Sequence, residues 1–388
     1  MEKVIIVNHH EIVLKGDNRS YFEKQLKNNI IHILKDLVGK DELLGGYGRF
    51  IIKISDEKRV EEIVERLKTV FGVANICLAL KVPQDIQAFC RAAESLLQVS
   101  DFRTFKIHTK RPDKSFTLNS VAVNKEVGAF ICSKFNTKVD LTSPAVTIYI
   151  DIADGCGFVY RDKISGAGGL PSGTAGRVVS LLSAGFDSPI ASWKIMRRGA
   201  SVIFVHFHSM PYTSRNSVEQ VQKIVRLLTR YQLSSKLYIV PFADLQKEIV
   251  IQAPENLRVI LYRRMMLKIA ELIAHTEKAE AILTGEAVGQ VASQTLRNIR
   301  NIDSATSMPI LRPLCGDDKE EIMKVAIRIG TYDISKEPYD DCCSFLTPRK
   351  PETWSNIEEI IETENKLDVN NLVKNVMDKI QVEKFNFP

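Results

Sequence analysis

The chain has 388 residues, 45% of them hydrophobic and 26% charged, with a formal net charge of +6. That length exceeds one ordinary core and fits two or three domains, and the composition excludes wholesale disorder. No apolar run approaches the roughly 20 residues of a bilayer-spanning helix, and "MEKVIIVNHHEIVLKG" meets acid and histidine too early for a signal peptide, so a cytoplasmic protein without a membrane partner is expected.

Residues 3–14, "KVIIVNHHEIVL", read as a strand. In the segment after it Phe22, Leu26, Ile30 and Leu34 fall four apart, the helical spacing, with Asn18 as a candidate N-cap. "YGRFIIKI" predicts a second strand, 57–69 a second helix and "ANICLALKV" a third strand. This alternation predicts a ferredoxin-like α+β domain over 1–82. A helix near 84–98 and strands near 103–109 and 145–151 predict a second small α/β domain over 83–165. The glycines of "SGAGGLPSGTAG" mark a linker at 166–176. From 177 to 388 the pattern changes. "VVSLL", "SVIFVHF", "KLYIVPF" and "AEAILTG" are apolar along most of their length, as strands of a parallel sheet covered on both faces are. Helices near 189–198, 215–230 and 255–277 supply the crossovers, and 355–382 reads as a helical tail. This is a doubly wound α/β domain, whose ligands sit at the carboxyl ends of its strands.

The seven cysteines, at 77, 90, 132, 156, 315, 342 and 343, form no CxxC pair, which suits a reducing compartment. Cys77, Cys90 and Cys132 sit among apolar residues and read as small buried hydrophobes. Cys342 and Cys343 stand apart, in the polar segment "EPYDDCCSFLTPRKP".

The first strand of the last domain breaks at Ser183, Ala184, Gly185, Phe186, Asp187 and Ser188, and a helix resumes at Pro189. Backbone N–H groups of such a turn and of the helix start form an anion site. Ser183 and Ser188 add hydroxyls, and Gly185 lets the backbone approach a phosphate. Asp187 would repel a bare phosphate, so Mg²⁺ is its natural partner. Neither GxxxxGK[ST] nor GxGxxG occurs. The turn resembles the PP-loop, SGGxDS, of N-type ATP pyrophosphatases, with Ala184 in place of the first glycine. Alanine is strained there if the position needs positive φ. "LTGEAVGQVASQT" follows the last strand at the same edge. In it Gly285 permits close approach to a base or ribose, and Gln290, Ser293 and Gln294 offer hydrogen bonds. His206 and His208 share a strand face without a third metal ligand, so a backbone contact from His206–Phe207 to adenine is expected. Arg263 and Arg264 can reach phosphates or lie on a solvated face.

"RTFKIHTKRPDK", 103–114, sets five Lys/Arg against one Asp, interleaved with Phe102, Phe105 and Phe116. Lys106, Lys110, Arg111 and Lys114 are candidates for RNA backbone contact, the phenylalanines for base stacking, and Lys134 and Lys138 are candidates to join them. A charged face over buried phenylalanines fits the composition equally.

Together "EIVLKGDNRSYFE", "KRPDKSF", "GLPSGTAGRVVSLLSAGFDSPIASW", "FVHFHSMPYTS", "TGEAVGQVASQT" and "YDDCCSFLTP" resemble the tRNA 4-thiouridine synthetases (tRNA sulfurtransferases) over nearly the whole chain. The resemblance implies a ferredoxin-like domain, a THUMP domain and a PP-loop domain. It implies adenylation of tRNA uridine 8 at O4 with ATP, then replacement of that oxygen by sulfur from a cysteine persulfide loaded by a cysteine desulfurase. A homodimer is implied as well. By motif position Leu181, Leu182, His206, Phe207, Arg263, Gly285 and Gln294 match the family's ATP contacts. Ser183, Gly185, Asp187 and Ser188 match its pyrophosphate turn, with Phe186 inside it. Cys343, which precedes Ser344, Phe345 and Leu346, matches the reactive cysteine, and Cys342 fits with a shift of one residue or as a resolving thiol. Many members end in a rhodanese domain, which has no counterpart after the tail here; a role in thiazole (thiamine) synthesis is accordingly not expected. Two other readings stay open: another adenylating PP-loop enzyme that uses ammonia or an amine, and a non-catalytic RNA-binding protein with ATP as a structural ligand.

Overall fold

The computed structural model describes residues 1–46, 48–98, 102–340, 342, 346 and 350–388. These divide into two compact units, Met1–Gly169 and Leu170–Pro388.

The first unit is built on one continuous sheet. Its strands are β1 (Glu2–Asn8), β2 (Leu43–Gly46), β3 (Arg49–Lys53), β4 (Asn75–Pro83), β5 (Thr104–Lys110), β6 (Lys138–Val139), β7 (Val146–Ala153), β8 (Cys156–Tyr160) and β9 (Ile164–Ser165). They lie in the order β2-β3-β1-β4-β8-β7-β5-β6, with β9 also paired to β4. Helices α1 (Arg19–Ile33) and α2 (Val60–Leu67) complete the ferredoxin-like order β1-α1-β2-β3-α2-β4. Helices α3 (Ile86–Leu97) and α4 (Ser120–Phe135) pack Phe89, Ala93, Val123, Val127 and Ile131 against Phe105, Ile107, Ile148 and Ile150. Side chains of Asp85 and Asn119 accept N–H groups of the first turns of α3 and α4, which fixes where these helices begin.

Two sequence expectations are corrected in this unit. The first strand ends at Asn8, because its partners Arg49 and Asn75 are the first residues of β3 and β4 and no ladder exists beyond them. A 3₁₀ segment, Glu11–Asn18, follows and runs directly into α1, so Asn18 makes no side-chain cap.

The second unit has β10 (Arg177–Leu181), β11 (Ser201–His208), β12 (Ser234–Pro241), β13 (Ala281–Leu283), β14 (Ile310–Leu311) and β15 (Gln381–Asn386). The order is β14-β13-β10-β11-β12-β15, parallel except for β15, which is antiparallel to β12. Its helices are α5 (Asp187–Met196), α6 (Asn216–Gln232), α7 (Ala243–Gln252), α8 (Arg258–Glu277), α9 (Leu296–Asp303), α10 (Lys319–Ile329), α11 (Tyr332–Ser335), α12 (Ile357–Glu364) and α13 (Val369–Met377). The core joins Val179, Val205 and Val240 of the sheet to Leu261, Met265 and Ile269 of α8 and Val373 and Val376 of α13. The tail is not wholly helical: after α12 and α13, "QVEKFN" pairs with β12. Among the described residues no helix is long and apolar enough to cross a membrane.

Candidate functional site

Strand β10 is buried at Val178, Val179 and Ser180, and Leu182 N–H donates to the Val205 carbonyl (2.8 Å) as the strand ends. The turn that follows is tied by the Ser188 hydroxyl, which accepts the Ser183 N–H (2.9 Å) and lies 3.1 Å from the Ser183 hydroxyl. Beneath it the Ser192 hydroxyl donates to the Ser188 carbonyl (2.8 Å) and meets the Ser180 hydroxyl (2.9 Å). Helix α5 begins at Asp187, two residues before Pro189; Pro is tolerated there because first-turn N–H groups have no intrahelical acceptor. No side chain caps α5, which leaves those N–H groups for a ligand.

Ala184 is fully buried, and neither it nor Gly185 has a positive φ. The strain that alanine could have carried in place of glycine is absent. Ala184→Gly is therefore expected to leave ATP turnover unchanged and to lower stability by about 0.5–1 kcal/mol, through backbone entropy, as read by thermal denaturation.

A cleft of about 230 Å³ opens at this turn. Leu181, Leu182, Ser183, Gly185, Asp187 and Ser188 form one wall, and His206, Phe207, Arg263, Gly285 and Gln294 join them around it. Phe186 is not brought there; its ring packs on Tyr332, centroids 5.5 Å apart. Burial holds the Asp187 carboxyl above the ordinary carboxylate range, opposed by a hydrogen bond from Gln290 (3.2 Å) and by Lys319. The His206 ring is spent on the protein itself, with Nδ1 2.9 Å from the Leu182 carbonyl and Nε2 3.4 Å from the Ser217 hydroxyl. Of the two arginines on α8, Arg263 lines the cleft. Arg264 is buried away from it, its Nη2 2.6 Å from Glu364. Gly285 lines the cleft and has a packing reason besides. A Cβ there would stand 2.6 Å from the Ser188 nitrogen and 2.7 Å from its Cα, so glycine lets the nucleotide-side loop lie against the start of α5.

Two contributors, Glu286 and Tyr339, were not singled out by sequence, and Cys342, which was, joins them. Glu286 lines the cleft, is buried, accepts Arg312 Nε (2.8 Å) and is joined by Thr284 (3.0 Å), while Arg312 also grips Asp303. Tyr339 and Cys342 line the same cleft from the cysteine-bearing segment. That segment is strapped down: Ser335 donates to the Gly185 carbonyl (3.2 Å), Gln220 to the Glu337 carbonyl (3.3 Å), and the fully buried Gln246 to the Cys342 carbonyl (2.8 Å). Cys343 lies outside the described residues.

In the first unit Lys106 and Lys110 stand on β5, Lys106 donating to the Leu141 carbonyl (3.0 Å). Lys110 and Lys114 are exposed. Arg111 closes its own loop through the carbonyls of Phe116 (2.6 Å) and Leu118 (2.7 Å). Of the phenylalanines Phe105 is fully buried and cannot stack on a base, while Phe102 and Phe116 are half-buried and pack against the same core. Cys77 and Cys90 are buried, and burial pushes the Cys77 thiol up to about 12. Cys132 is half-buried, and its ring of neighbours is the α3–α4 core.

Three family models match the chain: "Thiamine biosynthesis protein (ThiI)" over 173–369, "ThiI ferredoxin-like domain" over 4–77 and "THUMP domain" over 83–162. The chain is 42% identical over 381 residues to the "Probable tRNA sulfurtransferase" of Caldanaerobacter subterraneus subsp. tengcongensis, covering 98% of this chain and 99% of that one. It is 38% identical over 389 residues to the protein of the same name from Thermus thermophilus, covering 100% and 95%. A 4-thiouridine synthetase, solved in complex with RNA and with bound ATP, superposes with a TM-score of 0.90 at 36% identity over 100% of both chains. With the PP-loop cleft, the ferredoxin-like order and full-length relatives in agreement, the chain belongs to the ThiI family of tRNA sulfurtransferases.

Proposed function

We propose that the protein uses ATP to adenylate uridine 8 of tRNA at O4 and replaces that oxygen with sulfur from a cysteine persulfide, giving 4-thiouridine. The observation that carries this reading is the convergence of the PP-loop turn and the thiol-bearing strap, Cys342 included, on one cleft. Uracil O4 attacks the α-phosphorus, and pyrophosphate leaves into the N–H groups and serine hydroxyls at the start of α5. Arg263 supplies positive charge to the nucleotide. Asp187 offers a single carboxylate, and among the described residues no cluster of three ligating side chains forms. This donor set suits Mg²⁺ carried mainly by nucleotide phosphates and water, with Asp187 as one protein ligand. When bound, the ion neutralises phosphate charge.

In the second half-reaction the terminal persulfide sulfur attacks C4 and AMP departs. A second thiol then cleaves the S–S bond, leaving sulfur on the base and a disulfide for an external dithiol to reduce. Cys343 is assigned the persulfide by its place in the motif and Cys342 the resolving role, although a disulfide between adjacent residues is strained. A cysteine desulfurase supplies the sulfur. The tRNA is held by the basic strand of the first unit, through Lys106, Lys110, Lys114 and Arg111, and the enzyme works as a homodimer. An amine-using PP-loop enzyme has no need of the thiol beside the nucleotide.

Mass spectrometry of tRNA after incubation with protein, ATP and a sulfur donor tests the reaction, with pyrophosphate release measured alongside. Cys343→Ser is expected to release pyrophosphate and form no 4-thiouridine. Cys342→Ser is expected to be partly active or to stop after about one turnover. Full thiolation by the double variant would end the cysteine assignment.

A further inference from the structure

One side chain near the cleft contradicts its surroundings. Trp354 is 70% exposed, yet the backbone around it is bolted in place. Asn298, fully buried, donates to the Glu352 carbonyl (2.7 Å) and accepts the Ser355 N–H (3.1 Å), and Asn301 donates to the Ser355 carbonyl (3.0 Å). Thr295 donates to the Thr353 carbonyl (2.9 Å), and the Trp354 N–H itself bonds Glu352 (2.9 Å). Arg297 donates to the Ser355 carbonyl (2.7 Å) and lays its guanidinium over the indole, 5.0 Å from the ring centroid. A large aromatic held rigid in water loses its ordering entropy without burying its surface, an arrangement that favours a later contact.

The position of this platform is informative. Asn298 also donates to the Ala292 carbonyl (2.8 Å), so the Trp354 segment is stitched to the loop whose Gln290, Val291 and Gln294 line the cleft. Val288, Val291 and Leu296 are exposed beside it, as is Arg300. Of the neighbouring carboxylates Asp303 is paired with Arg312, Glu352 accepts the Trp354 N–H and Asn256, and Glu358 and Glu359 are exposed at the start of α12. The local charge available to a partner from α9 is that of Arg297 and Arg300.

We propose that Trp354, backed by Arg297, is a stacking platform for an unpaired tRNA base next to the nucleotide being activated, with Arg297 and Arg300 serving the adjoining phosphates. Aromatic faces backed by a guanidinium accept any base. A base must leave its stack to reach a cleft of this kind. The proposal rests on the reading of tRNA as substrate, but its test does not depend on thiolation.

The chain has two tryptophans, and Trp193 is 4% exposed, so quenching of exposed indole fluorescence reports on Trp354. Titration with unmodified tRNA is expected to quench that emission. Trp354→Ala is expected to lose the quench and bind tRNA about ten-fold more weakly, the loss of one stacked base, and Trp354→Tyr to restore most of the affinity. Binding of ATP without tRNA stays at the wild-type level. Electrophoretic retention of tRNA with no quench, or unchanged affinity in Trp354→Ala, would overturn the proposal. So would a thiolation defect of Trp354→Ala that appears with a cysteine desulfurase and vanishes with inorganic sulfide, because the surface would then serve the donor protein. Quenching by tRNA in a wild-type protein that forms no 4-thiouridine would support the platform while refuting the reaction.

Discussion

Asp187→Asn is expected to lower tRNA-dependent pyrophosphate release by about two orders of magnitude or more, the scale of removing one charge-stabilising group from a reacting phosphate. The same substitution should not lower the melting temperature. Burial raises the Asp187 carboxyl above its ordinary value, and for a raised acid the sign is fixed. The unfolded chain ionises first, so stability falls as pH rises from the ordinary carboxylate value through the raised one. At neutral pH the ionised side chain is a cost to the fold that a neutral amide removes, and the amide oxygen can still accept from Gln290. Activity and stability should therefore move in opposite directions. The kcat/KM of pyrophosphate release by the wild type, which follows the cation-free enzyme, should fall with acidification at a higher pH than an exposed carboxylate would set, because the protonated group cannot hold a cation. That limb should be missing from the residual rate of the variant. Wild-type release by a folded Asp187→Asn protein would remove Asp187 from the reaction.

Gly285→Ala is expected to damage the site through packing alone. The added methyl would stand 2.6 Å and 2.7 Å from the Ser188 nitrogen and Cα and 2.9 Å from the Asp187 carbonyl carbon. These are backbone atoms at a helix start and cannot turn aside. Either β13 and its loop or the first turn of α5 must move, at a cost of about 1–3 kcal/mol or more. The expected result is a lower melting temperature together with loss of ATP binding. Gly185 makes a contrast. A methyl there would meet the Tyr339 hydroxyl at 3.0 Å, the end of a side chain, so Gly185→Ala should be milder in stability. A Gly285→Ala protein with wild-type melting and ATP affinity would show that the loop stands farther from α5 than described.

The parallel strands of the second unit were legible because burial on both faces leaves an unbroken apolar run, as in "SVIFVHF" for β11. The PP-loop was legible because its chemistry is local, six residues between a strand and a helix. What escaped was long-range. Nothing near Glu286 in the sequence announces Arg312, since the pair forms only when β13 and β14 lie side by side. The packing reason for Gly285 was not legible for the same cause: its tight neighbour is Ser188, almost a hundred residues earlier. Arg263 and Arg264 could not be separated without knowing which face of α8 meets Glu364. The strand β15 was hidden because an exposed edge strand alternates weakly, and "QVEKFN" carries charge as well as apolar residues.

The direction of β15 has a practical consequence for handling the protein. Parallel strands β10, β11 and β13 end at the nucleotide cleft, β12 runs in the same direction beside β11, and β15 starts at that end, opposite Ile239, and runs back to pair Asn386 with Ser234. A polypeptide fused after Pro388 therefore departs from the far rim of the sheet, about 20 Å along six residues of strand from the level of the cleft. An affinity handle or fluorescent reporter placed there leaves the approach to the cleft open. Only Pro388 then separates its linker from Phe387, whose N–H is tied to the Leu233 carbonyl (2.9 Å). A fusion that removes Phe387 would lose that bond and leave the edge strand held by its six pairs with β12.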